Sequence, residues 1–96
     1  IVVDAKNLTG RAGKSAVLQL ANYLSEGGLG LFGLIITPAG LDRAGRITQR
    51  EQWLLHRKMI LALTHFDVDQ MIDAHVASEP ADIIIRQRLE DFRLSI

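Results

Sequence analysis

Three short apolar runs, separated by segments with helical periodicity, constrain the fold of this chain more than any other feature. The runs cover residues 1–5, 31–37 and 59–63. Short runs rich in β-branched and other apolar residues are typical of strands that are covered on both faces of a sheet, although a helix remains an alternative for residues 59–63. Because strands alternate with helical segments, the sequence predicts an α/β layered domain with a mainly parallel sheet in this portion.

The first two helices are predicted from an apolar stripe and from a capping pattern. Residues 15–26 carry apolar side chains at helical spacing and are followed by two glycines, which commonly end helices. Residues 38–45 are predicted to form a loop. The pattern from Thr48 to Glu51 matches a capping box and would begin the second helix.

Two further helices are predicted in the last third of the chain. Asp67 is expected to cap the third helix, and Pro80 to occupy a first helical position in the fourth. The apolar residues expected to face the core are Val68, Met71, Ile72 and Val76 in the third helix and Ile85, Leu89 and Phe92 in the fourth.

Length and composition restrict the class of protein. A chain of 96 residues with 48% hydrophobic content forms one small domain, here residues 1–96. The absence of cysteine excludes disulfides and thiolate metal sites. No apolar stretch approaches the roughly 20 residues of a membrane span and no signal peptide is visible, so we expect a cytoplasmic protein. Because residue 1 already lies within an apolar run, we also expect a fragment whose N-terminal elements are missing.

The net charge of zero conceals an uneven distribution. Residues 1–58 carry a net charge of +4 and residues 59–96 a net charge of −4. This division is compatible with one basic face directed toward phosphate groups, but solvated surface charge is the commoner explanation of such a pattern.

Asp4 and Lys6 are the unusual residues of the first strand. Strand side chains alternate between faces, so Asp4 and Lys6 share one face with Val2. Burying either charge is costly without a partner. A divalent cation beside Asp4 would supply one, with the backbone carbonyl of Ala5 as a further oxygen ligand. Lys6 could then orient an attacking water or stabilise charge on a phosphate; the alternative is a solvated ion pair at a strand end.

Gln19 and Tyr23 form a second polar pair on the following helix. They are four residues apart and therefore share one helical face, next to the stripe that contains Leu20 and Leu24. From that position an amide and a phenol could donate or accept hydrogen bonds toward a strand end. Two unrelated surface side chains would produce the same pattern.

The order of these motifs resembles that of the PD-(D/E)XK nuclease superfamily, in particular its restriction-endonuclease-like and RecB-like branches. The resemblance rests on Val-Val-Asp4-Ala-Lys6-Asn7, a glycine-bearing loop, Gln19-Leu-Ala-Asn-Tyr23 and the strand Leu-Phe-Gly-Leu-Ile-Ile, within residues 1–37. It implies a restriction-endonuclease-like layered core with a central mixed sheet flanked by helices.

The resemblance also implies a function, the hydrolysis of DNA phosphodiesters with Mg²⁺ or Mn²⁺ as cofactor. Asp4 would match the second acidic metal ligand, with the carbonyl of Ala5 beside it. Lys6 would match the catalytic lysine, and Gln19 and Tyr23 would match the supporting helix pair. The first acid of the superfamily normally precedes this strand, so we expect the fragment to be inactive by itself. The expected partners are DNA and either a second copy or an upstream part of the same polypeptide.

The segment Gly10-Arg-Ala-Gly-Lys-Ser15 offers an alternative, since it lies between a strand and a helix as a phosphate-binding P-loop does. That loop requires a glycine where this chain has Leu8. Arg11 and Lys14, together with Asn7, fit better as contacts to DNA phosphates near a helix N-terminus.

A catalytically dead module that binds DNA or another subunit remains a third alternative. Further along the chain, three arginines are compatible with a DNA groove and equally with a solvated loop, namely Arg43, Arg46 and Arg50.

Overall fold

In the part of the chain that the structure describes, three parallel strands form the sheet and four helices accompany it. The computed structural model describes residues 2–5, 10–24 and 31–95. The described elements are β1 (Val2–Ala5), α1 (Lys14–Tyr23), β2 (Phe32–Ile36), α2 (Arg43–His56), β3 (Met59–Leu63), α3 (His65–Val76) and α4 (Ile83–Leu94). The strand order is β1-β2-β3, with β2 in the centre and every described pair parallel. The prediction of an α/β domain with a parallel sheet in this portion is therefore confirmed. Residues 59–63 form a strand, as predicted, and not the alternative helix.

The two faces of the sheet carry separate clusters of apolar residues. On the face that α1 covers, which we call the α1 face, Ile35 and Ile60 are fully buried against Val17 and Leu20 of that helix. On the opposite face, which we call the α4 face, Leu61 and Leu63 pack with Leu34 and with Phe92 of α4. Both clusters exist because side chains alternate along each strand, which leaves both faces of a parallel sheet apolar.

Gly33 shows how closely α1 approaches β2. A Cβ atom at Gly33 would lie 3.1 Å from Cδ2 of Leu20. This distance is shorter than an ordinary van der Waals contact of about 3.5–4.0 Å between carbon atoms. Leu20 therefore occupies the space that a side chain at Gly33 would need, and the α1 face is tightly packed at this point.

The start of α2 differs from the sequence prediction. The helix begins at Arg43, and Asp42 caps it by accepting a hydrogen bond of 2.8 Å from the backbone N–H of Gly45. The predicted loop over residues 38–45 is therefore too long, and the capping box at Thr48 is wrong. The Thr48 hydroxyl instead donates to the carbonyl of Ala44 within the helix.

The start of α3 also differs, and so does its burial. Thr64 is the N-cap, and Asp67 is its capping-box partner rather than the cap itself. Asp67 is the only residue of the helix that is buried. Met71 packs partly against the α4-face cluster, whereas the side chains of Ile72 and Val76 are 55% and 78% exposed. The predicted inner face of this helix is therefore only partly buried.

The fourth helix begins later than predicted. Pro80 lies outside the helix, which starts at Ile83 after Asp82. Its inner face nevertheless follows the predicted spacing. Phe92 is buried, and Ile85 and Leu89 pack partly against the same cluster.

None of the helices in residues 2–5, 10–24 and 31–95 is both long and apolar enough to span a membrane.

Candidate functional site

Asp4 is the only polar side chain on the three described strands. It is half-buried and lies on the α1 face, because Val2, two residues earlier, packs against the α1-face cluster. The predicted sharing of one face by Val2 and Asp4 is thus confirmed. In the sheet register Asp4 pairs with Ile35 of β2, which in turn pairs with Ala62 of β3. These three residues form one row across the sheet, which we call the Asp4 row.

Thr37 lies close to this row. It follows β2 two residues after Ile35 and therefore continues the α1 face as a diagonal neighbour of Asp4. Its side chain is completely buried, and its hydroxyl has no hydrogen-bond partner among the described residues. A buried hydroxyl without a partner is unusual and costs free energy of about 1–3 kcal/mol, so Thr37 is a second polar side chain near Asp4 whose hydrogen-bonding capacity is unused.

A divalent cation needs more ligands than these residues supply. Mg²⁺ prefers six oxygen ligands in near-octahedral geometry, usually with one or two carboxylates. Within the described part of the chain, no three His, Cys, Asp or Glu side chains come together in a way that could hold a metal ion. Asp4 offers one carboxylate and Ala5, paired with Ile36 in the register, one backbone carbonyl. The described residues therefore do not fit a complete Mg²⁺ or Mn²⁺ site.

Two of the predicted site residues lie outside the described residues. Lys6, the expected catalytic lysine, and Asn7, the expected phosphate contact, both fall in residues 6–9. Their assigned roles stay predictions from the sequence.

Gln19 and Tyr23 lie on the exposed side of α1. Lys58, which immediately precedes β3, donates a 3.0 Å hydrogen bond to the carbonyl of Ala21, so the last turn of α1 lies at the amino ends of the strands. Tyr23 is one helix length, roughly 13 Å, from the first residue of α1. Its side chain is 56% exposed, and its hydroxyl bonds to no other described residue. The structure therefore does not bring the Tyr23 hydroxyl into contact with Asp4.

The loop before α1 is bonded to the loop after β2. The N–H of Ala12 donates to the carbonyl of Gly40, and the carbonyl of Ala12 accepts from the N–H of Asp42, each at 2.8 Å. The Asp42 carboxylate also lies beside Gly13, the residue before α1. A P-loop binds phosphate through free backbone N–H groups. Here the N–H of Ala12 is already bonded to the carbonyl of Gly40, and the Asp42 carboxylate would repel a phosphate at the N-terminus of α1. We therefore do not propose nucleotide hydrolysis.

The predicted phosphate contacts Arg11 and Lys14 occupy different positions. Lys14 is exposed at the first residue of α1, the helix end that favours anions. Arg11 lines a cleft of about 520 Å³ beside the outer edge of β3, which we call the β3-edge cleft. The other residues that line this cleft and enter the argument below are Arg46, Gln49, Ala62, Asp67, Arg88 and Asp91.

Arg88 is the residue of this cleft that the sequence analysis missed. Its Nε donates to Asp67 at 3.2 Å and its guanidinium also bonds Asp91. The carboxylate of Asp67 is only 7% exposed, and Arg88 supplies the positive charge that offsets its burial. Because Asp67 and Arg88 belong to different helices, no sequence pattern indicated this pair. Arg46 was visible only as one of three arginines near a predicted loop.

Comparison with protein-family models, with curated proteins and with solved structures gives no match to this chain. What the chain does must therefore be inferred from its own residues.

Proposed function

We propose that the chain is the Asp4-bearing part of a metal-dependent DNA nuclease domain of the PD-(D/E)XK type. In this proposal Asp4 and the carbonyl of Ala5 bind Mg²⁺ or Mn²⁺ together with a further carboxylate from outside the described residues. Lys6 acts on the attacking water or on the scissile phosphate, as the sequence resemblance implies. Cleavage of DNA would then require more than the residues described above.

The observation that carries the proposal is the position of Asp4. Asp4 is a half-buried carboxylate near the carboxyl end of β1, on strands that are otherwise apolar, which is the position where the sequence resemblance expects an acidic metal ligand. Its row reaches the β3-edge cleft, where Arg11 lies. Thr37 on the same face adds a second polar group, whose hydroxyl has no hydrogen-bond partner among the described residues.

Asp4→Asn in the full polypeptide tests the proposal. The substitution keeps the size of the side chain and removes its charge, so Mn²⁺ binding should weaken at least tenfold and cleavage of DNA should be lost. Mn²⁺ binding can be measured by electron paramagnetic resonance, and cleavage on single-stranded and duplex DNA in separate reactions. Thermal unfolding of the variant checks that the fold is retained.

Asp69→Asn is the matched control. Asp69 is exposed on α3, away from the sheet, and the substitution removes the same charge. Cleavage and Mn²⁺ binding should be unchanged in this variant. Retained cleavage in Asp4→Asn, or equal loss in both variants, contradicts the nuclease proposal and favours a module without catalytic activity.

A further inference from the structure

The β3-edge cleft exposes backbone groups as well as arginines. The N–H of Met59 donates to the carbonyl of Leu31, and the carbonyl of Leu63 accepts from the N–H of Thr37, so these residues of β3 bond toward β2. Since bonding directions alternate along a strand, the N–H and C=O of Ile60 and Ala62 face away from β2. The carbonyl of Ile60 accepts a 2.7 Å hydrogen bond from the side-chain amide of Gln49. The backbone groups of Ala62 face the cleft.

Two of the three arginines in the cleft have hydrogen-bonding capacity to spare. Each guanidinium carries five N–H donors. Arg88 uses its donors on Asp67 and Asp91, so one positive charge is shared between the two acidic groups of the cleft. Arg46 makes one long contact of 3.4 Å with the carbonyl of Leu41. The side chain of Arg11 bonds to no other described residue.

We propose that the β3-edge cleft is a phosphate-binding site, with Arg11 and Arg46 as the donors. The planar guanidinium fork matches the oxygens of a phosphate better than any other side chain. A cleft of about 520 Å³ lies in the size range of pockets that hold small ligands. Three arginines against two carboxylates leave the cleft with a net positive charge, and Arg11 and Arg46 carry the donors that are still available to an anion.

The position of the cleft relates this site to Asp4. Ala62 is both a lining residue of the cleft and the last member of the Asp4 row. Two strand spacings of about 4.8 Å separate Asp4 from Ala62, which gives roughly 10 Å. The cleft would therefore bind a phosphate of the same DNA segment as one at Asp4. That the phosphate belongs to DNA rests on the proposed function, whereas the phosphate site itself does not.

Arg11→Gln and Arg46→Gln test the site by binding alone. Binding of a fluorescently labelled duplex is measured by anisotropy in EDTA, so that no cleavage occurs, and binding of a nucleoside 5′-monophosphate is measured by calorimetry. Each variant of the full chain should weaken duplex binding about tenfold, the loss expected for one charge-assisted hydrogen bond. The slope of log K against log salt should fall by about 0.9 for the lost phosphate contact.

Arg86→Gln is the matched control, because it removes the same charge from α4. Arg86 is 78% exposed, pairs with Asp82 at 3.0 Å and does not line the cleft. Duplex binding by this variant should stay within twofold of that of the unmodified chain. Arg11 and Arg46 are also exposed, so thermal unfolding should show all three variants folded.

The outcomes separate this site from the nuclease proposal. Selective loss of duplex binding in Arg11→Gln and Arg46→Gln supports the site with DNA as the source of phosphate. If the unmodified chain binds only the monophosphate, and both variants lose it, the site is supported with free nucleotide as the source, and DNA as a partner is contradicted. If neither probe binds the unmodified chain, or if both variants bind as the control does, the phosphate site is overturned.

Discussion

Helices α1 and α3 have similar apolar patterns in the sequence and very different environments in the fold. α1 packs against α2 and all three strands, and it buries Val17, Leu20 and Ala21. α3 packs against β3 and α4, and its one buried residue is Asp67. The first helix is therefore held by apolar burial, whereas the second is held largely by a capping box and an ion pair.

The difference comes from how much of the sheet each helix can cover. On the α4 face, an apolar groove of about 420 Å³ separates α3 from β1 and β2. Val3 and Ile72 line this groove, and both remain more than half exposed. An apolar periodicity thus identifies a helical face correctly, but the depth of its burial depends on which elements lie beside it.

The comparison between α1 and α3 predicts its largest change in the free energy of unfolding when one apolar side chain in each helix is truncated. Leu20→Ala should lower the free energy of unfolding by about 2–5 kcal/mol, because it leaves a cavity between α1 and β2. Ile72→Ala should change that free energy by no more than about 0.5 kcal/mol, since the side chain is half exposed. Urea denaturation measures both. Equal losses would show that α3 is held by apolar burial after all.

A smaller loss in the free energy of unfolding should follow from removing the buried carboxylate of Asp67, which completes the capping box of α3 and pairs with Arg88. Asp67→Ala abolishes the bond to the Thr64 N–H and the bond from Arg88, so the free energy of unfolding should fall by about 1–2 kcal/mol. Asp82→Ala is the matched change at the start of α4, where the side chain makes no capping bond. It should cost less than about 0.5 kcal/mol. If both cost the same in urea denaturation, the capping box does not hold α3.

The smallest effect concerns the backbone contact that joins α2 to the loop before α1. A Cβ atom at Gly45 would lie 2.8 Å from the carbonyl oxygen of Ala12, so Gly45→Ala must displace the loop. We expect a net loss of about 1 kcal/mol in the free energy of unfolding, because strain of about 1–3 kcal/mol exceeds the helical preference of alanine. At Gly10 a Cβ atom would meet no atom within 4 Å, so Gly10→Ala should be nearly neutral. A thermal shift upward in Gly45→Ala would contradict the close packing of this region.

The sequence predicted the elements better than their first residues. The strands were placed within two residues because each is a short run that is almost entirely apolar. The start of α2 was missed because Gly45 suggested a loop, whereas its role is to let the helix approach the carbonyl of Ala12. That contact joins segments more than thirty residues apart, so only the folded chain reveals it.

The candidate site was predictable to a similar extent. The face of Asp4 follows from strand alternation, which needs no tertiary information. The position of Tyr23 depends on which end of the sheet the last turn of α1 reaches. The hydrogen bond from Lys58 to the carbonyl of Ala21 places that turn at the amino ends of the strands, and the sequence does not reveal this bond. The β3-edge cleft could not be predicted, because Arg11, Arg46 and Arg88 come from three separate segments of the chain.

The bond from Gln49 to the carbonyl of Ile60 has a consequence for how the domain associates with other chains. A strand that added itself to the outer side of β3 would have to displace this amide and pass between two helices to reach the backbone of Ala62. Unprotected outer strands are the usual starting point for aggregation and domain swapping. One glutamine thus helps to keep a small parallel sheet from growing on this side at high concentration.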